Sequence, residues 1–478
     1  MTDINKEPDP HAETFELDGA GIIYAVNNKK TWNRVIRFAA IMKENIQPEI
    51  LARAISDVQK RFPTFFLQLD QDLFNYSLRT VTDTDILNKE NEYPCGHIEA
   101  GSGNRPMFRV KYFKNRLSLE TFHILSDGGG TMVFFRTLIA RYLELQGFEV
   151  EKTDGVMDLN TTPTDAETED SYKKVTCEET KKISRSEPFA YQYRQPKKEN
   201  YFMLTHGFFR VDDIKQITKA KGVTVTEYLA ALYTWALYEN MLPANNKKPI
   251  KLSVPVDLRN IFGSTSLRSF SLYVNTCTYP KENLSLDEML TEITAQLREG
   301  LKKEKLAVRV VGNTTVQNTR AFRSIPLFFK KAILKLGYKL FGEKTMTSAF
   351  TNLGIVKIPP SMADHVDHFD CVAAGTLNIY INCAIATCNG VIDTIFSSRS
   401  ESKDVQRTFF TFLAKQGVRV QVQSNVKQKA VDSTAMLRCD SCNIEFTDNH
   451  LCCPLCGGKV FSPGAESLCV TAPYPELY

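Results

Sequence analysis

Between residues 116 and 143 the spacing of apolar side chains changes from alternate positions to helical spacing across one short turn, which fixes much of what the chain can become. Leu117, Leu119, Thr121 and His123 share one face of an alternating run, with Ser118, Glu120 and Phe122 on the other. This reads as a strand. Residues 108–113 alternate too, with Lys114-Asn115 between, so the two runs read as a β-hairpin. Beyond Ser126-Asp127-Gly128-Gly129-Gly130, the residues Met132, Phe135, Leu138, Ile139, Tyr142 and Leu143 recur at helical spacing, and Gly147 suits a stop. His123 therefore ends a strand, and Asp127 lies in the turn or N-cap before a helix. The glycines permit positive φ and close approach to the backbone. Taken alone, such a pair more often means a buried histidine beside a capping aspartate.

Strand and helix patterns interleave through the rest of the chain. Upstream, 1–17 reads as a loose lead-in, 32–42 as a strand, 47–61 as a helix and 65–69 as a short strand. Residues 149–179 are rich in Asp, Glu and Thr and read as an exposed linker, within an acidic linker or crossover assigned to 149–198. Further on, strands are expected at 201–209, 251–256, 270–278, 347–356, 369–374, 377–387, 391–396 and 418–423. Helices are expected at 212–221, 225–240, 285–303 and 403–415, with Ser285 and Glu288 placed for a capping box. The expected fold class is α/β (α+β), with domains at 18–148 and 199–425 and a small module at 435–462.

Composition narrows the function classes. A net charge of +4 over 478 residues gives no argument for nucleic acid. The polar N-terminus lacks the apolar core of a signal peptide, and no apolar run is long enough to span a membrane. Of 12 cysteines, five crowd into 439–456, which suits a metal site in a reducing cytoplasm better than a disulfide framework.

The sequence Phe122-His123-Ile124-Leu125-Ser126-Asp127-Gly128 resembles the His-x-x-x-Asp-Gly motif of the chloramphenicol acetyltransferase-like superfamily, which includes alcohol O-acetyltransferases and the condensation domains of peptide synthetases. Three later stretches follow in the superfamily's order: Pro255-Val256-Asp257-Leu258-Arg259, the stretch 269–276 containing Asn275, and Thr351-Asn352-Leu353-Gly354. The resemblance covers roughly 20–425 and is greatest to free-standing alcohol O-acetyltransferases. It implies two related domains with a channel between them, and an acyltransferase for groups other than aminoacyl.

It also implies roles. His123 would act as general base on an acceptor hydroxyl attacking the carbonyl of acyl-CoA, because imidazole titrates near neutrality. Asp127 would support the loop by pairing with an arginine. Gly128 and its neighbours would let the donor's pantetheine arm or acyl chain pass the backbone, and Asn275 and Asn352 hold the family positions for oxyanion donors. The sequence also departs from its relatives. Phe122 replaces the first of the adjacent histidines of peptide-forming condensation domains, no carrier domain is expected to follow, and the plant-type Asp-Phe-Gly-Trp-Gly box is missing. Phe66 stands where condensation domains place the arginine partner of the motif aspartate, leaving Arg34, Arg37 and Arg259 as candidates. A serine hydrolase is disfavoured, because no Gly-x-Ser-x-Gly elbow occurs.

Near the C-terminus, Cys439, Cys442, Cys453 and Cys456 form two C-x2-C knuckles, the spacing of a zinc ribbon. A set of four thiolates leaves no open position, so the zinc would be structural; iron is the alternative, with Cys452 and His450 near enough to substitute. Residues 324–342 mix lysines with many apolar residues. This fits a peripheral contact with membrane or lipid, or an ordinary packed helix with one basic face; the latter is favoured when only one such helix occurs.

The leading expectation is thus a cytoplasmic acyl-CoA-dependent O-acyltransferase with an alcohol or lipid-like acceptor, a structural zinc and no nucleic-acid partner. The rivals are a carrier-protein-dependent condensation or amide-forming enzyme and a non-catalytic binding or scaffold relative.

Overall fold

The computed structural model describes residues 13–29, 34–101, 103–177, 187–194, 198–241, 247–373, 379–425, 437–439, 444–446 and 460–461. A five-stranded sheet carries the N-terminal half in the order Val366–Ala373, Val35–Met42, Arg116–Phe122, Phe108–Phe113, Leu87–Lys89. Its first strand comes from the second half of the chain and pairs antiparallel with Val35–Met42. The domain expected at 199–425 thus lends a strand to its neighbour. The second half builds a ten-stranded sheet around Ser348–Ile355, Ile381–Cys388, Val391–Ser400 and Lys198–Arg210. The expected α/β architecture is present.

The hairpin Phe108–Phe113/Arg116–Phe122 pairs in the register the alternation requires, with Val110 opposite Leu119. Every residue of Arg116–Phe122 is buried, including its polar face. That face is closed by a buried ionic network. Arg37, fully buried, meets Glu90 at 2.7 Å and Glu120 at 3.1 Å, and Glu120 also holds Arg109 at 2.7 Å. Arg116 adds a contact to Glu90 at 2.9 Å. Burial opposes ionisation of Glu120, but Arg109, Arg37 and Lys111 outweigh it and hold its pKa down at about 2. The unfolded carboxyl titrates near 4.5, so this stabilisation is present above that pH and lost as pH falls from there towards about 2. Thermal melts across this window are expected to show a shallower acid limb for Glu120→Gln than for the wild type. Parallel limbs would remove Glu120 as the cause.

On the other face, the helix Gly128–Leu145 packs against Pro48–Val58. Phe134 stacks on Phe65 at 4.5 Å and meets Phe62 edge-on at 5.1 Å. Such aromatic pairs add to plain area burial.

Three expectations change. The lead-in contains a strand, Thr14–Glu16, paired with Tyr76–Thr80, and a helix, Gly19–Asn27, follows it. The acidic crossover is packed along much of its described length: Val150, Val156, Tyr172 and Tyr191 are buried, and Glu167 forms a two-pronged pair with Arg61 at 2.8 and 2.9 Å. The charge of Glu167 is satisfied by its partner, which composition alone does not reveal, while Glu149, Glu151, Asp154 and Asp165 stay exposed. The tail strands Leu437–Cys439, Glu445–Phe446 and Val460–Phe461 extend the large sheet, and Ile444 is buried in its core. Cys442, Cys453 and Cys456 lie outside the described residues, as do Trp32, His450 and Cys452. Among the described residues no group of His, Cys, Asp and Glu is placed to hold a metal ion.

Candidate active site at the junction of the two halves

His123 follows the strand Arg116–Phe122, and its N–H donates to the carbonyl of Arg34 at 2.8 Å. The ring of Tyr24, from the helix Gly19–Asn27, lies 5.2 Å from the imidazole. His123 keeps partial exposure, so a ligand can reach it, yet protein crowds it enough to remove solvent. Its pKa is lowered, first by burial and also by Arg34, against the opposing influence of Asp127. The imidazole is therefore neutral at neutral pH. Nδ1 is buried without a well-formed hydrogen bond, although the carbonyls of His123 and Ser126 are close enough to favour the protonated ring.

Asp127 caps the helix Gly128–Leu145, accepting from the N–H groups of Gly129 at 3.0 Å and Gly130 at 3.1 Å. Its other oxygen accepts from the N–H of Phe270 at 2.6 Å, and the Arg259 guanidinium pairs with the carboxylate at 2.9 Å. Of the three arginine candidates, Arg259 is the partner. Arg37 belongs to the ionic network, and Arg34 donates to the Tyr338 hydroxyl at 3.1 Å. Arg259 also donates to the carbonyls of Ser266 and Arg268, each at 2.6 Å, and to Asp257 at 2.9 Å. One carboxylate thus joins the first half's helix terminus to the second half's 257–270 segment.

That junction explains two of the glycines. A Cβ on Gly130 would sit 2.2 Å from the Leu267 carbonyl oxygen, and one on Gly129 would sit 2.5 Å from Asp257. The close neighbour here is the chain itself, not a ligand. Neither residue has positive φ; both sit in the first turn of the helix. Gly128 is looser: a Cβ there would meet Leu353 at 3.4 Å and Phe38 at 3.7 Å, ordinary contact distances.

Among the described residues, the hydrogen bonds of the two asparagines run to partners other than His123. Asn275 donates to Glu187 at 2.8 Å. Asn352 donates to Thr226 at 2.9 Å and accepts from the Gly354 N–H at 2.7 Å, stabilising a bulge in its strand. Sequence reasoning misses Tyr24 and Tyr338; Asp18 before Gly-Ala-Gly is the available cap signal for the helix bearing Tyr24. Another histidine, His206, is fully buried at 1% exposed and pairs with Asp393 at 2.9 Å, and burial lowers its pKa to about 3. Beside the Asp127 anchor lies a cavity of about 980 Å3 lined by Val175, Phe262, Phe270, Lys303, Lys305 and Arg309, among others.

No family profile matches the sequence, and no curated protein matches it. Solved structures do. The chain is similar to F. sporotrichioides TRI101 complexed with coenzyme A and T-2, at 12% identity and a TM-score of 0.57, over 83% of this chain and 97% of that one. It is similar to the first condensation domain of the CDA synthetase at 13% identity and 0.56, over 85% and 97%. It also aligns with the nonribosomal peptide synthetase FmoA3 at 13% identity and 0.55, over 87% of this chain but only 43% of that longer one. The chain therefore has the two-domain α/β fold of condensation domains and chloramphenicol acetyltransferase-like acyltransferases.

Proposed function

We propose that this protein transfers an acyl group from acyl-CoA to a hydroxyl, with His123 as general base. The observation that carries the reading is a neutral, solvent-reachable imidazole held where the two halves meet, on a loop anchored by Asp127 and Arg259. His123 would take the acceptor proton as the oxygen attacks the thioester carbonyl. It would return that proton to the departing CoA thiolate, so no acyl-enzyme is needed. Asp127, fully engaged by N–H donors and Arg259, acts as a positioning residue. The cavity beside it, with Lys303, Lys305 and Arg309 on its wall, offers cations to the donor's phosphates. Asn275 and Asn352 would need to redirect their amides to meet an oxyanion. We read Cys439, Cys442, Cys453 and Cys456 as holding a structural zinc that ties down the tail, in a reducing, cytoplasmic setting.

The test is CoA release from acetyl-CoA and longer acyl-CoAs against a panel of alcohols and amines. Acceptor-dependent release with alcohols supports the reading. Release only with amines, or only from carrier-bound acyl groups, would replace it with the condensation-type alternative.

A further inference from the structure

The helix Leu327–Phe341 is apolar on two sides. Its inner side is accounted for: Leu327 is buried, and its N–H donates to the Leu73 carbonyl at 2.8 Å. Lys330 is buried as well, with its ammonium on the carbonyls of Phe74 at 2.9 Å and Arg323 at 3.1 Å and on the Asn75 side chain at 3.3 Å. The outer side is uncovered. Phe328 is 75% exposed, Phe329 57%, Ile333 54% and Leu336 59%. The tip of the hairpin Leu67–Gln71/Tyr76–Thr80 continues the surface, with Leu73 70% and Phe74 39% exposed. That tip is held rigidly, because Asp72 accepts from the N–H groups of Phe74 and Asn75, both at 2.6 Å. Large apolar side chains gathered in this way mark an interaction surface, whereas scattered ones do not.

We infer that this face docks the protein on an anionic lipid bilayer. The occupant follows from charge and shape. Two cationic residues adjoin the patch: Lys331 donates to Gln71 at 2.8 Å, and the Arg323 carbonyl shares the Lys330 ammonium with that of Phe74; Arg320 and Lys335 are exposed nearby in sequence, and Asp70 and Asp72 are the exposed acids of the hairpin. Basic side chains framing an apolar helix face suit acidic headgroups above acyl chains. A second copy of the chain would bring the same cations together across a twofold axis. A 15-residue helix is about 22 Å long, too short to cross a bilayer but suited to lie in its surface. No helix among the described residues is long and apolar enough to span.

The same helix touches the cover of His123. Tyr338, on its inner side, accepts from Arg34, whose carbonyl holds the His123 N–H. The helix Gly19–Asn27, which places Tyr24 against the imidazole, packs on it too. Docking therefore acts on the elements that cover the base and presents them to acceptors drawn from the bilayer; this last step rests on the proposed acyl transfer, while docking itself does not.

The full chain is tested by sedimentation with vesicles of phosphatidylcholine alone and of phosphatidylcholine with phosphatidylglycerol. Binding is expected to the anionic vesicles, weakening as salt rises. The paired change Phe328→Ser with Phe329→Ser should weaken it by about tenfold or more, since each phenyl ring loses its lipid contact. Both side chains are exposed, so melting should be unaffected. Lys331→Glu with Lys335→Glu should weaken binding to anionic vesicles at low salt. No sedimentation of the wild type with anionic vesicles, or equal sedimentation of the phenylalanine variant, overturns the inference. A concentration-dependent dimer that the phenylalanine change dissolves would assign the face to self-association instead. Because the readout is binding, its failure leaves the acyl-transfer reading to its own test.

Discussion

His123→Ala is expected to lower acceptor-dependent CoA release by about 10²–10⁴-fold, the usual contribution of a positioned general base. The loss should fall on kcat, because a general base acts on a proton in flight and grips little of the substrate. Melting should change little: alanine keeps the hydrogen bond from the backbone N–H to the Arg34 carbonyl and loses only the ring contact with Tyr24. His123→Gln is the closer control, since it fills the site with a polar group that cannot take the proton. Activity within a few-fold of wild type in either variant would remove His123 from the chemistry and return the loop to a structural role.

The pH dependence follows from the same surroundings. Burial and Arg34 lower the pKa of His123 below the ordinary imidazole value, and an imidazole proposed as general base would work only when neutral. The rate should therefore stay level through neutral pH and fall only on the acid side, with a midpoint below about 6.5 in kcat/KM. A midpoint above that value would mean that the titrating group is held charged, contrary to its packing.

The parts of the fold legible in the sequence are those where local pattern and tertiary setting agree. The strand at 116–122 and the helix after Asp127 announce themselves because period, cap and turn residues coincide. The capping box at Ser285 and Glu288 forms as its spacing requires. The helix Lys303–Asn318 is hidden, because its apolar residues keep no stripe and Gly312 interrupts them. The polar face of the His123 strand misleads in the opposite direction. Ser118 and Glu120 look solvent-facing, but a strand from far downstream, Val366–Ala373, closes the sheet, and paired charges fill the junction. At the site, the placement of His123 at a strand end and of Asp127 at a helix cap is readable because it is set locally. The choice of Arg259 over Arg34 and Arg37 is not, since it depends on how a segment 132 residues away folds back onto the helix terminus. Motif order places Arg259 among the candidates; only packing selects it.

Breaking that selected pair should be costly. In Arg259→Ala the Asp127 carboxylate stays buried, 4% exposed, without its counter-charge, and the carbonyls of Ser266 and Arg268 lose their donor. Removing one partner of a buried pair typically costs about 3–5 kcal/mol. Three N–H donors remain on Asp127 and will offset part of this, so the lower end is expected by urea unfolding. A loss below about 1 kcal/mol would mean that the N–H cradle alone holds the carboxylate. Asp127→Asn tests the other partner and separates positioning from packing. It should lower both stability and kcat, since the amide cannot accept from every donor now pointing at the carboxylate. It should also move the acid limb of the rate to lower pH, because Asp127 is the chief influence raising the His123 pKa. A purely structural aspartate would lower stability and leave that limb in place. A shift together with reduced kcat assigns Asp127 to setting both the placement and the basicity of His123.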